Sequence, residues 1–417
     1  MTNPTFHSLG VAEPIQRALA AENYLEPTPI QARAIPLILS GRDVVGIAQT
    51  GTGKTAAFGL PVLQRLAADR TKAGPHAVRA LILAPTRELA LQIHDSLGRY
   101  GRHLGLRLAV VLGGVNQSRQ VEAARRGVDI LVATPGRLLD LVNQKHIRLG
   151  AATTLVIDEA DRMFDMGFIR DVRRIVAQLP RERQSMLFSA TMPADVAHLV
   201  AEVLRNPARI DISPTAVTVE RIEQRVHFVA EKDKRALLLD LLRDHAMTRV
   251  IVFTRTKHHA NRVTELLGKA GHRVNAIHGN KSQNARQHAL EGFRAGRSRI
   301  LVATDIASRG IDIDDVSHIV NLDIPDVAEN YVHRIGRTAR AGSGGTAISF
   351  CDPSERESLR AVERLVKRPL AVAGGERRPP VFAEIAEPKA ERNSPRSAQR
   401  PRSRKRFRNR RNSPKAA

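Results

Sequence analysis

Short apolar runs alternate along this chain with longer stretches whose apolar residues recur every three or four positions. Between residues 43 and 207, runs at 44–48, 80–84, 108–112, 130–133, 155–158 and 186–189 predict strands, while 55–68 and 87–100 carry helical spacing. Near-continuous apolar strands are covered on both faces, so this rhythm predicts an α/β fold with a parallel sheet between helices. Residues 208–220 break the pattern and predict a linker. The rhythm then restarts, with runs at 250–253, 274–277, 300–303, 318–321 and 347–350 and helical spacing over 257–270 and 283–294. Two similar α/β halves follow, one over 1–207 and one over 221–370, although no short sequence repeat relates them.

Composition changes the picture at the C-terminal end. Residues 388–417 hold twelve Lys or Arg against the single acid Glu391, a net +11 within a whole-chain charge of +24. Such a segment lacks the apolar surface to fold alone, so 371–417 is expected to be a disordered, Arg-rich tail. Arginine binds phosphate and stacks on bases, which makes a polyanion, nucleic acid above all, the expected partner. The lone Cys351 excludes an intrachain disulfide and lies in an apolar run, as a buried structural thiol would. No Cys/His cluster has metal-ligand spacing. With neither an apolar leader nor a continuous apolar stretch of about 18 residues, a cytoplasmic protein without a membrane span is expected.

Three clusters carry candidate chemistry. Residues 48–55 read Ala-Gln-Thr-Gly-Thr-Gly-Lys-Thr between a strand and a helix, the context of a phosphate-cradling loop. Backbone N–H groups from Thr50, Gly51, Thr52 and Gly53 would approach phosphates, Lys54 would neutralise them, and the Thr55 hydroxyl would ligate Mg²⁺. Ala48 stands where the usual pattern has its first glycine. Asp158-Glu159-Ala160-Asp161 follows the apolar Thr-Leu-Val-Ile, at the strand end that faces a ligand crevice. Asp158 suits metal binding, and Glu159 suits activation of a water. Read blandly, the same four residues are an acidic turn opening a helix. Residues 333–340 read His-Arg-Ile-Gly-Arg-Thr-Ala-Arg, with Arg334, Arg337 and Arg340 on one face if the segment is helical. If that cluster meets the nucleotide held by the first, one nucleotide joins both halves.

Asp-Glu-Ala-Asp resembles the signature of the DEAD-box ATP-dependent RNA helicases, and the family's other motifs stand in order over roughly residues 4–368. Glu26-Pro27-Thr28-Pro29-Ile30-Gln31, with Phe6 upstream, looks like the adenine-reading Q motif. Pro85-Thr86-Arg87-Glu88-Leu89-Ala90, Gly113-Gly114 and Thr134-Pro135-Gly136-Arg137 resemble the first domain's RNA contacts. Ser189-Ala190-Thr191 resembles the motif linking hydrolysis to unwinding. In the second half, Val252–Thr256, Gln283 with Arg286, the run 303–312 and the run 333–340 complete the series. Asp165-Met166-Gly167-Phe168-Ile169-Arg170-Asp171-Val172-Arg173-Arg174 and a short N-terminus before the Q motif look most like the bacterial RhlE-type branch. Ala339 stands where the family more often has Gly.

The resemblance implies two RecA-like domains in tandem. It implies ATP and Mg²⁺ held by Lys54, Thr55, Asp158 and Glu159, with Arg337 and Arg340 reaching the γ-phosphate from the second domain. Phe6 would stack on the base, Gln31 would read its edge, and Asp312 would bind the ribose. Pro85, Thr86, Arg87, Gly114, Thr134, Arg137, Arg255, Thr304 and Arg309 would grip RNA through its backbone, with little sequence specificity. Ser189, Thr191 and His333 would couple the two sites. Two rival functions share these residues: an ATP-gated RNA clamp or scaffold, and a DNA-directed translocase of the wider superfamily 2. Ribosome assembly and RNA decay are both compatible roles, and protein partners from either are compatible with the sequence.

Overall fold

The computed structural model describes residues 4–49, 51–69, 71–212, 222–305, 316–338 and 344–376. Thr50, Arg309, Asp312, Arg340, linker residues 213–220 and the tail beyond 376 lie outside the described residues. Seven strands form the first sheet: β1 (Val44–Ile47), β2 (Val78–Leu83), β3 (Leu108–Val111), β4 (Val128–Ala133), β5 (Thr154–Ile157), β6 (Gln184–Ser189) and β7 (Ala208–Asp211). Seven more form the second: β8 (Ile222–Phe228), β9 (Val250–Phe253), β10 (Val274–Ile277), β11 (Ile300–Ala303), β12 (His318–Asn321), β13 (Gly345–Cys351) and β14 (Ala371–Gly374). The orders are β3-β4-β2-β5-β6-β1-β7 and β10-β11-β9-β12-β13-β8-β14, and every pairing between them is parallel. Counted from its own first strand, the second sheet repeats the order of the first strand for strand.

Alternate residues of the central strands enter different cores, which is why those strands read as continuous apolar runs. Val44 and Ile82 pack on one face of the first sheet, Val45 and Leu81 on the other. In the second sheet Ile251 and Phe253 face one cluster, Val250 and Val252 the opposite one. Helices start where a side chain satisfies the first free N–H groups. Thr86 accepts from Leu89 N at 3.2 Å to open Arg87–Tyr100, Thr256 accepts from His259 N at 3.1 Å to open Lys257–Lys269, and Ser282 caps Gln283–Arg294.

Three strands extend beyond the sequence reading. Residues 208–211, expected in the linker, pair with β1 as β7, and residues 371–374, expected in the tail, pair with β8 as β14. The segment 222–228 is β8, a strand between β13 and β14. Its burial alternates along Ile222-Glu223-Gln224-Arg225-Val226, so it shows no apolar run. No described helix is long and apolar enough to cross a membrane.

Candidate active site

The first sheet gathers its motifs at the C-terminal ends of its strands, where open α/β sheets bind ligands. The loop 48–53 follows β1 and ends in Gly53, whose φ of 90° begins the helix Lys54–Ala68. That left-handed turn suits glycine, and space demands it as well. A Cβ on Gly53 would lie 2.3 Å from Gln31 Nε2. Gln31 donates to Gly53 O at 3.0 Å and to the Tyr24 hydroxyl at 2.9 Å, while its Oε1 accepts from Thr28 N at 2.9 Å. Phe6, expected beside the base, lies in the core at 5% exposure, its ring stacked on Tyr24 at 6.0 Å. Ala48 is buried and its N–H donates to Ser189 O, so its methyl fills core space where the motif usually has glycine.

Lys54 is buried at 5% exposure, and its Nζ has no hydrogen-bond partner among the described residues. A buried ammonium without partners is costly. Together with the positive-φ glycines Gly51 and Gly53 beside it, this cation fits a nucleotide's phosphates. The charge of Lys54 also reaches the acids after β5. Burial pushes the Asp158 carboxyl up to about 6, Lys54 opposing and Glu159 adding. For Glu159, burial raises and Arg162 lowers, with Lys54 and Arg337 also lowering; the net direction is down. Glu159 sits at φ 54° and ψ 54°, a left-handed position that costs a non-glycine residue on the order of 1–3 kcal/mol. Its carboxylate accepts from Arg162 Nη1 at 3.0 Å, both side chains being 3% exposed.

Asp161 ties this acidic turn to the end of β6. Its Oδ2 accepts from Thr191 N at 2.9 Å, Thr191 Oγ1 at 3.0 Å and Ala190 N at 3.2 Å, while its own N–H donates to Ser189 Oγ. Two sequence-distant motifs are thus one hydrogen-bonded unit.

The second half reaches the same place. His333 lies on the helix Ala328–Ile335. Burial pulls its imidazole down to about 4; the Arg162 charge adds to this, and Asp161 opposes it. Arg337 is 4% exposed; burial lowers its pKa, Arg162 adds, and Glu159 opposes. The expectation of one arginine face over 334–340 is corrected here. The helix stops at Ile335 with Gly336 as its cap, so Arg334 and Arg337 point differently. Arg334 turns into its own domain, where it makes two bonds to Asp305 at 2.6 and 2.8 Å and lies 5.0 Å over the Phe253 ring.

A second face carries the other motifs. A cavity of about 310 Å³ is lined by Pro85, Thr86, Arg87, Thr134 and Arg137 from the first half and by Gly279 and Arg286 from the second. Gly114 has φ 77°, and a Cβ there would lie 2.2 Å from Arg87 Nη1, so this glycine makes room for the guanidinium. Arg137 donates to Val115 O. Glu88 is buried, and it accepts from Gln283 Nε2 at 2.9 Å and Arg286 Nη2 at 2.8 Å, joining the halves. Thr304 is buried at the end of β11, and Arg255 is exposed at the end of β9. Sequence alone gives Glu88 and Arg162 no role of their own. Arg162 follows Glu159 by three residues, the helical spacing for an ion pair, which is the one local signal for it.

Two parallel sheets of one topology, a lysine left for phosphate and Arg337 arriving from the second half define a tandem RecA-like ATPase. Residues 28–199 match the DEAD/DEAH box helicase family, and residues 233–342 match the helicase conserved C-terminal domain. The chain is 42% identical over 364 residues to the DEAD-box ATP-dependent RNA helicase CshA of Bacillus licheniformis, covering 87% of this chain and 74% of that one. To the ATP-dependent RNA helicase RhlB of Xanthomonas axonopodis pv. citri it is 43% identical over 396 residues, covering 93% and 68%. Among solved structures, Saccharomyces cerevisiae Dbp5 bound to RNA and ADP BeF3 superposes with a TM-score of 0.79 at 33% identity, covering 89% of this chain and 95% of that one. The chain belongs to the DEAD-box ATP-dependent RNA helicases.

Proposed function

We propose that ATP hydrolysis between the two halves is stimulated by RNA and drives local duplex opening or ribonucleoprotein remodelling. The observation that carries this is the meeting of Arg337 and His333, from the second half, with Glu159, Asp161 and Arg162 of the first. A site assembled from both halves turns over only when they close, and an RNA backbone spanning both would favour closure.

The roles follow from the chemistry of each group. Lys54 and the loop N–H groups hold the phosphates, and Thr55 and Asp158 supply the hard oxygen donors that suit Mg²⁺. The ion, when bound, neutralises charge on the phosphate oxygens. Glu159, kept ionised by Arg162, accepts a proton from the attacking water. Arg337 stabilises the charge of transfer, with Arg340 and Asp312 expected beside it. Gln31 has its amide committed to Gly53 and Tyr24, a position that supports reading of the base edge next to the phosphate loop. Asp161 carries the state of the site to Ser189 and Thr191. Pro85, Thr86, Arg87, Gly114, Thr134, Arg137, Arg255 and Thr304, with Arg309, grip the RNA backbone. The segment 165–174 supports an RhlE-type reading within the family.

ATPase rate with and without single-stranded RNA tests this, for the wild type and for Glu159→Gln. Strong stimulation is expected, and the variant should lose on the order of 10²–10⁴ in rate while still binding ATP. A rate indifferent to RNA would remove the coupling. A clamp reading is favoured by the buried Glu88 bonds to Gln283 and Arg286, which hold the halves together on the RNA face. A blunt-duplex unwinding assay run beside an RNA-residence assay separates the two outputs. Deleting residues 377–417 is expected to weaken RNA binding more than maximal ATPase. It should also reduce the salt slope by roughly 0.7 for each phosphate that the tail neutralises.

A further inference from the structure

Lys234 and Glu355 belong to none of the motifs described above, yet among the described residues they form the most buried ion pair of the second half. Lys234 is 1% exposed, and its Nζ lies 2.6 Å from Glu355, 2.9 Å from Asp352, 3.2 Å from Glu231 and 3.7 Å from Asp323. The Glu355 side chain is 2% exposed and receives four donors. Oε2 accepts from Lys234 and from Asp352 N at 3.2 Å, while Oε1 accepts from Ile324 N at 3.0 Å and Arg255 Nη2 at 2.8 Å. Asp323 accepts from Arg255 N at 2.7 Å and lies 3.0 Å from His259 Nδ1. Arg255 is thus held by its backbone and by one edge of its guanidinium, while its side chain stays 42% exposed at the end of β9. Its other ion-pair partner, Asp326, is itself exposed.

Burial works against charge at both ends of this pair. Burial lowers the Lys234 ammonium, but Glu355 and Asp352 raise it further, and its net position is above the ordinary range. Burial also raises the Glu355 carboxyl, with Lys234 opposing, but four donors aimed at its oxygens make the carboxylate the form this geometry holds. A rotamer-rich arginine at an exposed strand end ordinarily loses freedom when it grips a phosphate. Here a fixed carboxylate has already removed much of it.

We propose that Lys234 and Glu355 are positioning residues for RNA: Glu355 fixes the guanidinium of Arg255 at the edge of the second sheet, and Lys234 fixes Glu355. The proposal rests on the reading of Arg255 as an RNA-backbone contact. The planar fork matters, because only a guanidinium spans Glu355 and a phosphate together.

The test is the RNA concentration giving half-maximal ATPase in the full chain, for Arg255→Ala, Glu355→Gln, the double variant and Arg255→Lys. Arg255→Ala is expected to raise it on the order of tenfold, the worth of one charge-assisted contact. Glu355→Gln should raise it comparably, and the double variant should be no worse than Arg255→Ala alone. Additive effects in the double variant, or an unaffected Glu355→Gln, would overturn the positioning role and leave the RNA reading of Arg255 standing. An unaffected Arg255→Ala would overturn both. Should Glu355→Gln fail to fold, Arg255→Lys decides: it keeps the charge on an exposed side chain but loses the fork. Behaviour like Arg255→Ala supports positioning, and behaviour like wild type overturns it.

Discussion

Lys54 and Lys234 are both buried, at 5% and 1% exposure, and their surroundings are opposite. Lys234 has four carboxylates within 3.7 Å, whereas Lys54 has no hydrogen-bond partner among the described residues. A buried cation satisfied by its own chain is part of the scaffold; one left unsatisfied marks where a ligand supplies the missing charge. Burial alone does not separate the two roles, but the partner set does.

Four measurements sharpen or break that contrast. Lys234→Met should be the most damaging, because it leaves buried acids without their cation; a loss of about 3–5 kcal/mol is expected in a denaturant melt of the second half. A loss under about 1 kcal/mol, the scale of an exposed pair, would place Lys234 outside the scaffold. Lys54→Met should weaken ATP binding on the order of a hundredfold, as the buried cation that would face the phosphates is removed. Without nucleotide the same variant should lose far less stability than Lys234→Met, since Lys54 has no hydrogen bond among the described residues and meets Asp158, Glu159 and Asp161 only through its charge; a loss as large as that of Lys234→Met would show that Lys54 has a structural partner after all. The third measurement is of pH. Burial raises the Asp352 carboxyl, but bonds from Ser354 and Lys234 lower it further, and the net shift is down from the ordinary 3.8. A carboxyl lower in the folded than in the unfolded state stabilises above the unfolded value and loses that stabilisation as pH falls. The melting temperature of the second half should therefore drop as pH falls below about 4, and Asp352→Asn should flatten that part of the profile. Smallest of all, Arg173→Ala should cost only about 0.2–1 kcal/mol, because its two bonds to Glu202 lie in solvent.

Sequence legibility follows the same division. Strands sealed on both faces, such as Leu155 to Ile157 of β5 and Val250–Phe253, are apolar along their buried length, and their runs predict them within a residue or two. Strand β8 alternates and the edge strand β7 is half charged, so neither offers an apolar run, whereas the edge strand β14 is a four-residue apolar run whose side chains are mostly exposed, lying next to a stretch whose charge reads as tail. Lys54, Asp158 and Glu159 are legible because phosphate chemistry imposes a local spacing. Lys234 and Glu355 are not, because their partnership spans 121 residues and each sits in an ordinary charged stretch. Glu88 and Gln283 are 195 residues apart and are hidden as partners for the same reason. The arginine run departs from its expected geometry because Gly336 ends the helix midway, and periodicity carries no information past a helix end.

The contact between Gln31 and Gly53 limits redesign. A protein engineer wishing to widen base choice would begin by replacing Gln31, but its amide nitrogen also bonds the carbonyl of the glycine that turns the chain toward Lys54. If Gln31 reads the base as proposed, selectivity for the base and grip on the phosphates are mechanically one joint. A shorter side chain at position 31 would trade nucleotide discrimination against a looser loop, so the two properties would shift together in any selection for altered triphosphate use.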